Sequence, residues 1–377
     1  LLYHLIFIVK IKIIMNICII GAGLTSLSLA KNLINKKINV HLYHSDKIRK
    51  LPESRTIGIS KNNLEFFTKE IQSISNKRTW EIKKIEIFSE KIKGENILKF
   101  ENNNSLFYMI KNNDLYNLLK NKIYRNKFFK KKIIKKNFFE DLLNTNKYDL
   151  IINCEANNYL SKKYFMNKIY KNYLNLAYTT IINHQKIENN TAIQIFTRFG
   201  PIAFLPISNS ETSIVCSLNT KNKKFKDIDI INLINKNNPK YQIKKILKIN
   251  NFELSSSSLR NYHHKNILAF GDLLHRIHPL AGQGFNMNIR DIKVLSEIIQ
   301  NKIDLGMHLD PIILNDFEKK TKNKNFLFSS GIDFIYEAFN IERQSRNESF
   351  NKLIKIVGKN KNINNYLTTL ADRGLNI

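Results

Sequence analysis

Apolar positions fall into two rhythms along the chain. Asn16-Ile17-Cys18-Ile19-Ile20 is a short, almost unbroken apolar run, the pattern of a strand buried on both faces. Gly21-Ala22-Gly23 interrupts it, and Leu24, Leu27, Ala30, Leu33 and Ile34 then recur at helical spacing. A second strand, Asn39 to Tyr43, follows. This opening predicts a parallel sheet covered by helices. The rhythm changes over 80–107, where Ile82, Ile85, Ile87, Phe88 and the stretch Ile97 to Phe100 read as β-structure. Asp114 to Lys122 returns to helix with Leu115, Leu118 and Leu119 on one face, and Tyr148 to Asn153 is another buried strand. Residues 173–262 are β-rich again, with strands at Ala192 to Phe196, Ile202 to Ile207 and Thr212 to Leu218. Ile267 to Phe270 feeds a glycine-containing turn and a helix ending near Gln300; beyond Leu305 the pattern is helical with charged faces.

The alternation predicts a discontinuous α/β fold. A Rossmann-like nucleotide-binding domain takes 15–72, 108–172 and 263–305. A β-rich substrate domain takes 73–107 and 173–262, and a helical region takes 306–377. Leu1 to Val9 is apolar but shorter than the ~20 residues a membrane span requires, and no small-residue cleavage site follows it. Met15 stands directly before the first strand, so residues 1–14 are expected to be an upstream extension.

Composition narrows the classes. The chain has 377 residues, 43% of them hydrophobic, which supports a sizeable core. Its 61 basic and 31 acidic residues give a formal charge of +30. The basic residues form no single arm or stripe; Lys130-Lys131-Lys132 and the run Lys221 to Lys224 lie far apart. No nucleic-acid partner is therefore expected, whereas weak attraction to an anionic membrane surface is consistent with the charge. The three cysteines, Cys18, Cys154 and Cys216, include no CxxC. That argues against a disulfide framework or a metal site and for a cytoplasmic setting.

Gly21-Ala22-Gly23-Leu24-Thr25-Ser26 leaves a strand and opens a helix, the context a dinucleotide site requires. Gly21 permits the tight turn, Gly23 lets a pyrophosphate approach the backbone, and the helix start offers unpaired N–H groups. Ser26 occupies the third glycine position. No acid ends the second strand: His44 lies where a carboxylate would receive ribose hydroxyls, with Asp46 two residues further on. Alone, this motif does not separate FAD from NAD.

The second glycine motif is longer. Gly271-Asp272-Leu273-Leu274-His275-Arg276-Ile277-His278-Pro279-Leu280-Ala281-Gly282-Gln283-Gly284-Phe285-Asn286, continuing to Arg290-Asp291, resembles the signature of the class A flavin monooxygenases of the 4-hydroxybenzoate hydroxylase fold. Within them it is most similar to the ubiquinone-biosynthesis hydroxylases. Two further stretches are similar: Phe199-Gly200-Pro201-Ile202-Ala203-Phe204-Leu205-Pro206, and the Arg55 segment Ser54 to Ser60. The mid-chain Asp-Gly of the family is replaced by Glu155-Ala156.

What the resemblance implies is an FAD-dependent hydroxylase that uses NAD(P)H as a transient reductant and dioxygen as co-substrate. Its substrate would be a polyprenylated phenol, which carries the expectation of peripheral association with the inner membrane or a biosynthetic complex. Gly21, Gly23, Ser26, Arg55, Glu155, Gly271, Asp272, Gly282, Gln283, Gly284 and Asn286 would contact FAD, with Asp272 accepting from the ribityl hydroxyls. His278 and Pro279 would shape the wall beside the flavin ring without acid–base work. Phe199, Phe204 and Leu205 are candidates for the substrate pocket, or equally for ordinary sheet core. Two alternatives stay open: another flavoenzyme on the same fold, such as a polyprenyl reductase or halogenase, and a decayed flavoprotein acting as a scaffold.

Overall fold

The computed structural model describes residues 15–46, 52–90, 96–101, 105–221, 224–278 and 282–344. The extension expected at 1–14 and the wall residue Pro279 lie outside the described residues.

The first sheet has six strands in the order His263–His264, Ile267–Ala269, Leu150–Asn153, Asn16–Ile20, Asn39–His44, Phe129–Ile133. Every neighbouring pair is parallel except the short hairpin His263–Ala269. Ile17, Cys18, Ile19 and Ile20 are fully buried, which is why this central strand is apolar on both faces instead of alternating. The helices Leu24–Asn35 and Gly284–Asp304 cover the sheet. The second buries Ile289, Ile292, Leu295, Ile298 and Ile299, the face its spacing predicts. Because the strands are parallel, their carboxyl ends share one edge. Gly21, His44, Cys154-Glu155 and Gly271 all stand there, at the crevice where an open α/β sheet binds its ligand.

The second sheet has nine strands, and its centre runs Asn250–Leu259, Lys168–His184, Glu211–Asn219, Gly200–Pro206, Thr191–Thr197, Lys84–Ser89. One face is closed by the helix Asp227–Lys236, over a core that includes Tyr178, Ile182, Phe204, Ile214 and Cys216. The other face turns toward a three-stranded sheet, Thr56–Ser60, Phe107–Lys111 and Trp80–Ile82. Hydroxyl contacts tie the two: Thr56 Oγ1 donates to Ser213 Oγ at 2.8 Å, and Ser54 Oγ lies 3.1 Å from Thr179 Oγ1.

The helix Ile312–Gln344 links both layers. Phe317 packs on Tyr262 and Phe270 in the core of the first sheet. Further along, Asp333 accepts from the Tyr173 hydroxyl and Glu337 pairs with Lys171, so the helix grips the strand Lys168–His184. The register of that strand slips between Asn172 and Asn175, and the bulge places Tyr173 edge-on to His278 with ring centroids 4.8 Å apart.

Candidate active site

The turn after the first strand is built to accept an anion. Gly21 has φ +115°, a conformation that side chains disfavour, and its N–H donates to the Tyr43 carbonyl at 2.7 Å. A Cβ on Gly23 would meet nothing within 4 Å, so the backbone is open to a ligand at that point. The helix Leu24–Asn35 starts with no side-chain cap and no acid in its first turn. Its first N–H groups and positive dipole end are thus uncommitted. Ser26 is buried and bonds the Cys154 thiol, whose pKa burial pushes up to about 12. The hydroxymethyl group at the third glycine position is accommodated by packing and does not face the open side of the turn.

On either side of this turn stand the groups that end the neighbouring strands. His44 is buried, with Nδ1 2.7 Å from the Ser45 carbonyl oxygen. Glu155 is half-buried, and its Cγ lies 3.1 Å from where a Gly21 Cβ would be. Burial raises the Glu155 pKa above the ordinary carboxylate value, and the nearby His44 partly opposes that. Arg55 is exposed at the head of the strand Thr56–Ser60, and its carbonyl accepts from the Asn112 N–H at 3.0 Å.

The second glycine motif docks on the first. A Cβ on Gly271 would sit 3.2 Å from Thr25 Cγ2, and Asn288 Nδ2 donates to Thr25 Oγ1 at 2.9 Å. Asp272 is exposed in the short turn Gly271–Leu273, beside the same strand edge. The loop then closes over the small sheet. Gly282 has φ +65°, and a Cβ there would be 3.7 Å from the Gly58 nitrogen. Asn286 clamps this contact: its Nδ2 donates to the Gly58 carbonyl at 2.9 Å, and its Oδ1 accepts from the Ser60 N–H at 2.9 Å and from Asn63 Nδ2 at 3.0 Å. Its side chain is therefore committed to the protein, and it acts on a cofactor by placing the loop. Gln283 Oε1 is buried without a hydrogen-bond partner, and a Cβ on Gly284 would meet nothing within 4 Å. The helix Gly284–Asp304 begins without a side-chain cap or a first-turn acid.

Behind the loop, His275 Nε2 is 2.5 Å from Asp291 Oδ2, both groups being buried, and Asn325 Nδ2 donates to Asp291 Oδ1 at 3.0 Å. This pair fastens the motif to the two long helices. His278 is fully buried, stacked on Tyr336 at 4.3 Å between ring centroids.

The substrate-side candidates fall on both faces of the large sheet. Strand register places Ile193, Phe204 and Ile214 in one cross-strand row on the face under the helix Asp227–Lys236. Phe204 is fully buried there and stacks near Tyr241 at 5.9 Å, while Phe199 packs edge-on against Phe225 on the same side. Both are sheet core. Leu205, one residue on, points the opposite way but packs among Ile82, Met109 and Phe107. The half-buried row on that inner face is Gln194, Ala203 and Val215, continuing to Thr179. Thr179 meets Ser54, and the Ser54 segment runs under the Gly282 loop.

These features fit FAD. Two uncapped helix starts, the open backbone at Gly23 and Gly284, and the orphaned Gln283 oxygen converge on one crevice. An FAD binding domain model matches residues 176–304. The chain is 25% identical over 421 aligned residues to ubiquinone biosynthesis monooxygenase COQ6 of Dictyostelium discoideum, covering 86% of this chain and 84% of the relative. It is 29% identical over 152 residues to 3-demethoxyubiquinol 3-hydroxylase of Escherichia coli, covering 39% of each. The fold is shared with p-nitrophenol 4-monooxygenase PnpA from Pseudomonas putida, at TM-score 0.73 and 12% identity over 97% of this chain and 99% of that one. The chain thus carries an FAD binding domain, shares the fold of an FAD-dependent monooxygenase and is similar in sequence to ubiquinone-biosynthesis hydroxylases.

Proposed function

We propose that this enzyme hydroxylates the aromatic ring of a polyprenylated ubiquinone precursor, with NAD(P)H as reductant and dioxygen as the source of the inserted atom. The observation that carries the reading is the loop Gly282–Asn286, clamped on Gly58 of the small sheet, which hydroxyl contacts tie to the large-sheet face that bears Ala203 and Val215. A flat ring and an aromatic substrate would lie between two such surfaces. The names of the two relatives, a ubiquinone biosynthesis monooxygenase and a demethoxyubiquinol hydroxylase, supply the substrate class.

Bound FAD supplies the electron transfer and the activation of dioxygen. The chain's own residues bind, orient and exclude water. The Gly21–Gly23 turn and the start of Leu24–Asn35 would hold the pyrophosphate. Asp272 would accept from the ribityl hydroxyls. The backbone of Gly282–Gly284 would lie against the ring, with Gln283 Oε1 left to accept a hydrogen bond from the cofactor. The start of the helix Gly284–Asp304 would favour negative charge on the ring by up to ~2 kcal/mol. His278, wedged between Tyr173 and Tyr336, would shape the wall of the site without acid–base work.

A polyprenyl tail would keep the substrate in a membrane. Among the described residues no helix is long and apolar enough to cross one. A net charge of +30 favours an anionic surface instead, by ~1 kcal/mol per basic side chain close to it. The test is product analysis with the purified yellow protein, NAD(P)H and isotopically labelled dioxygen. One labelled oxygen in the product ring supports hydroxylation. A reduced or halogenated product with no label, or a colourless protein that binds no flavin, refutes it.

A further inference from the structure

The inner face of the large sheet carries a half-buried row between two covered ones. Strand register aligns Gln194, Ala203, Val215 and Thr179, and the first three are half-buried. Two residues along the strands in one direction, Ala192 and Leu205 pack with Met109 of the small sheet, and Ser213 is fully buried. Two residues in the other direction, Phe196 pairs with Pro201, and both are buried. The middle row is therefore the floor of an open strip. It borders the flavin loop: Thr179 meets Ser54, and Gly58, on the strand that follows, lies against Gly282. We infer that Gln194 anchors the substrate ring on this strip through a hydrogen bond to an uncharged oxygen substituent, and that the strip rejects a ring bearing a carboxylate. The inference rests on the hydroxylase reading above and adds to it the group that recognises the ring.

Gln194 is placed for this. Its strand lies inside the sheet, paired through Ala203 on one side and Ile87 on the other, so its backbone is fixed. Its carboxamide makes no hydrogen bond with any described residue. The hydroxyls beside it are already engaged: Ser213 Oγ accepts from Thr56 Oγ1 at 2.8 Å, and Thr179 Oγ1 lies 3.1 Å from Ser54 Oγ. The side chains of Ile87, Ala203 and Val215 offer no polar atom. An unspent carboxamide on an apolar floor both donates and accepts, so it serves a phenol O–H, an ether or a ring carbonyl. Val215 stands two strands from Gln194, or ~10 Å, which is the room one substituted ring needs.

Charge is missing from the same floor. Among the described residues of these three rows, from the strand Lys84–Ser89 across to Lys168–His184, none is acidic or basic. Glu211, one row beyond Ser213, is already paired with Lys111 at 2.9 Å. A ring carboxylate would leave water here and meet no cation, a heavier cost than any neutral substituent carries.

The experiment titrates the flavin-loaded full chain, without reductant, with three rings that carry the same short prenyl group: a phenol, the benzene that lacks its hydroxyl, and the phenol with a carboxylate para to the hydroxyl. Wild-type protein should bind the phenol about tenfold tighter than the benzene, the value of one hydrogen bond to a desolvated partner, and at least about tenfold tighter than the carboxylate. Gln194→Leu should weaken the phenol about tenfold and leave the benzene unchanged. Equal binding by wild type of phenol and benzene, or of phenol and carboxylate, overturns the inference, and this comparison needs no variant to fold. Equal weakening of phenol and benzene in Gln194→Leu overturns it too, because Gln194 would then only shape the strip. Wild type that binds none of the three rings overturns the hydroxylase reading with it, whereas a labelled product in the oxygen assay combined with equal affinities overturns the role of Gln194 alone.

Discussion

Replacing Asn286 with Ala separates a residue that holds the flavin loop from one that touches flavin. Asn286 is 1% exposed and makes three close hydrogen bonds, to the Gly58 carbonyl, the Ser60 N–H and the Asn63 amide, all at 2.9–3.0 Å. Each is worth ~1 kcal/mol net, and none of the three partners can reach water in the shortened site, so the substitution should cost at least ~3 kcal/mol. For a chain of this size ~2 °C of melting temperature accompanies each kcal/mol, which gives a fall of about 6 °C. The fall should be the same with and without bound FAD, because all three bonds lie within the protein. Melting curves of the flavin-stripped and flavin-loaded proteins decide it. If the stripped variant melts with wild type and only the loaded one falls, Asn286 is a direct flavin ligand and the clamp is not what fixes the loop.

Two further substitutions test which face of the large sheet meets substrate. Phe204→Ala should cost ~3–5 kcal/mol in denaturant unfolding, because the ring is fully buried, while the KM of the folded fraction stays near wild type. Ala203→Phe, one residue away on the half-buried face, should do the reverse, keeping the fold and raising KM; a raised KM from Phe204→Ala alone would put the pocket on the other side. The pH profile carries a separate signature. Burial, reinforced by Lys132, Lys130 and Lys147, lowers the His41 pKa to about 4 from 6.5. The unfolded chain therefore takes up a proton that the folded chain refuses, so this contribution is present above pH 6.5 and is lost as pH falls toward 4. His41→Gln should flatten the loss of melting temperature over that window, and an unchanged slope would show that other groups govern acid unfolding.

Much of the fold can be read from the chain because burial on two faces writes itself as an unbroken apolar run. Asn16–Ile20 and Leu150–Asn153 are of this kind, and so is the spaced face Ile289 to Ile299. Edge elements leave a weaker trace. Phe129–Ile133 is the outer strand of the parallel sheet, yet its Lys130-Lys131-Lys132 reads as a solvated charge run. Lysines there keep an open strand edge from pairing with another chain, so the property that makes the strand safe also hides it.

The candidate site is legible where open backbone marks it and illegible where side chains bind each other. Gly21, Gly23, Gly282 and Gly284 announce themselves, since only glycine leaves the approach open. Thr25, Asn288, Asn63 and Asp291 join the two glycine motifs and the long helices through hydrogen bonds across 16 to 263 residues of chain, and no local spacing encodes such pairs. For Phe204 and Leu205 the sequence leaves pocket and sheet core open for another reason. Phe204 and Leu205 both look like pocket walls, but a strand sends adjacent side chains to opposite faces, and parity decides which face each takes. Parity is set by pairing: Phe204 stands opposite Ile193 and Ile214, whose side chains belong to the core under Asp227–Lys236. The small residue just before them, Ala203, is thereby turned to the face opposite Phe204, where a small side chain leaves the room that an aromatic substrate would fill.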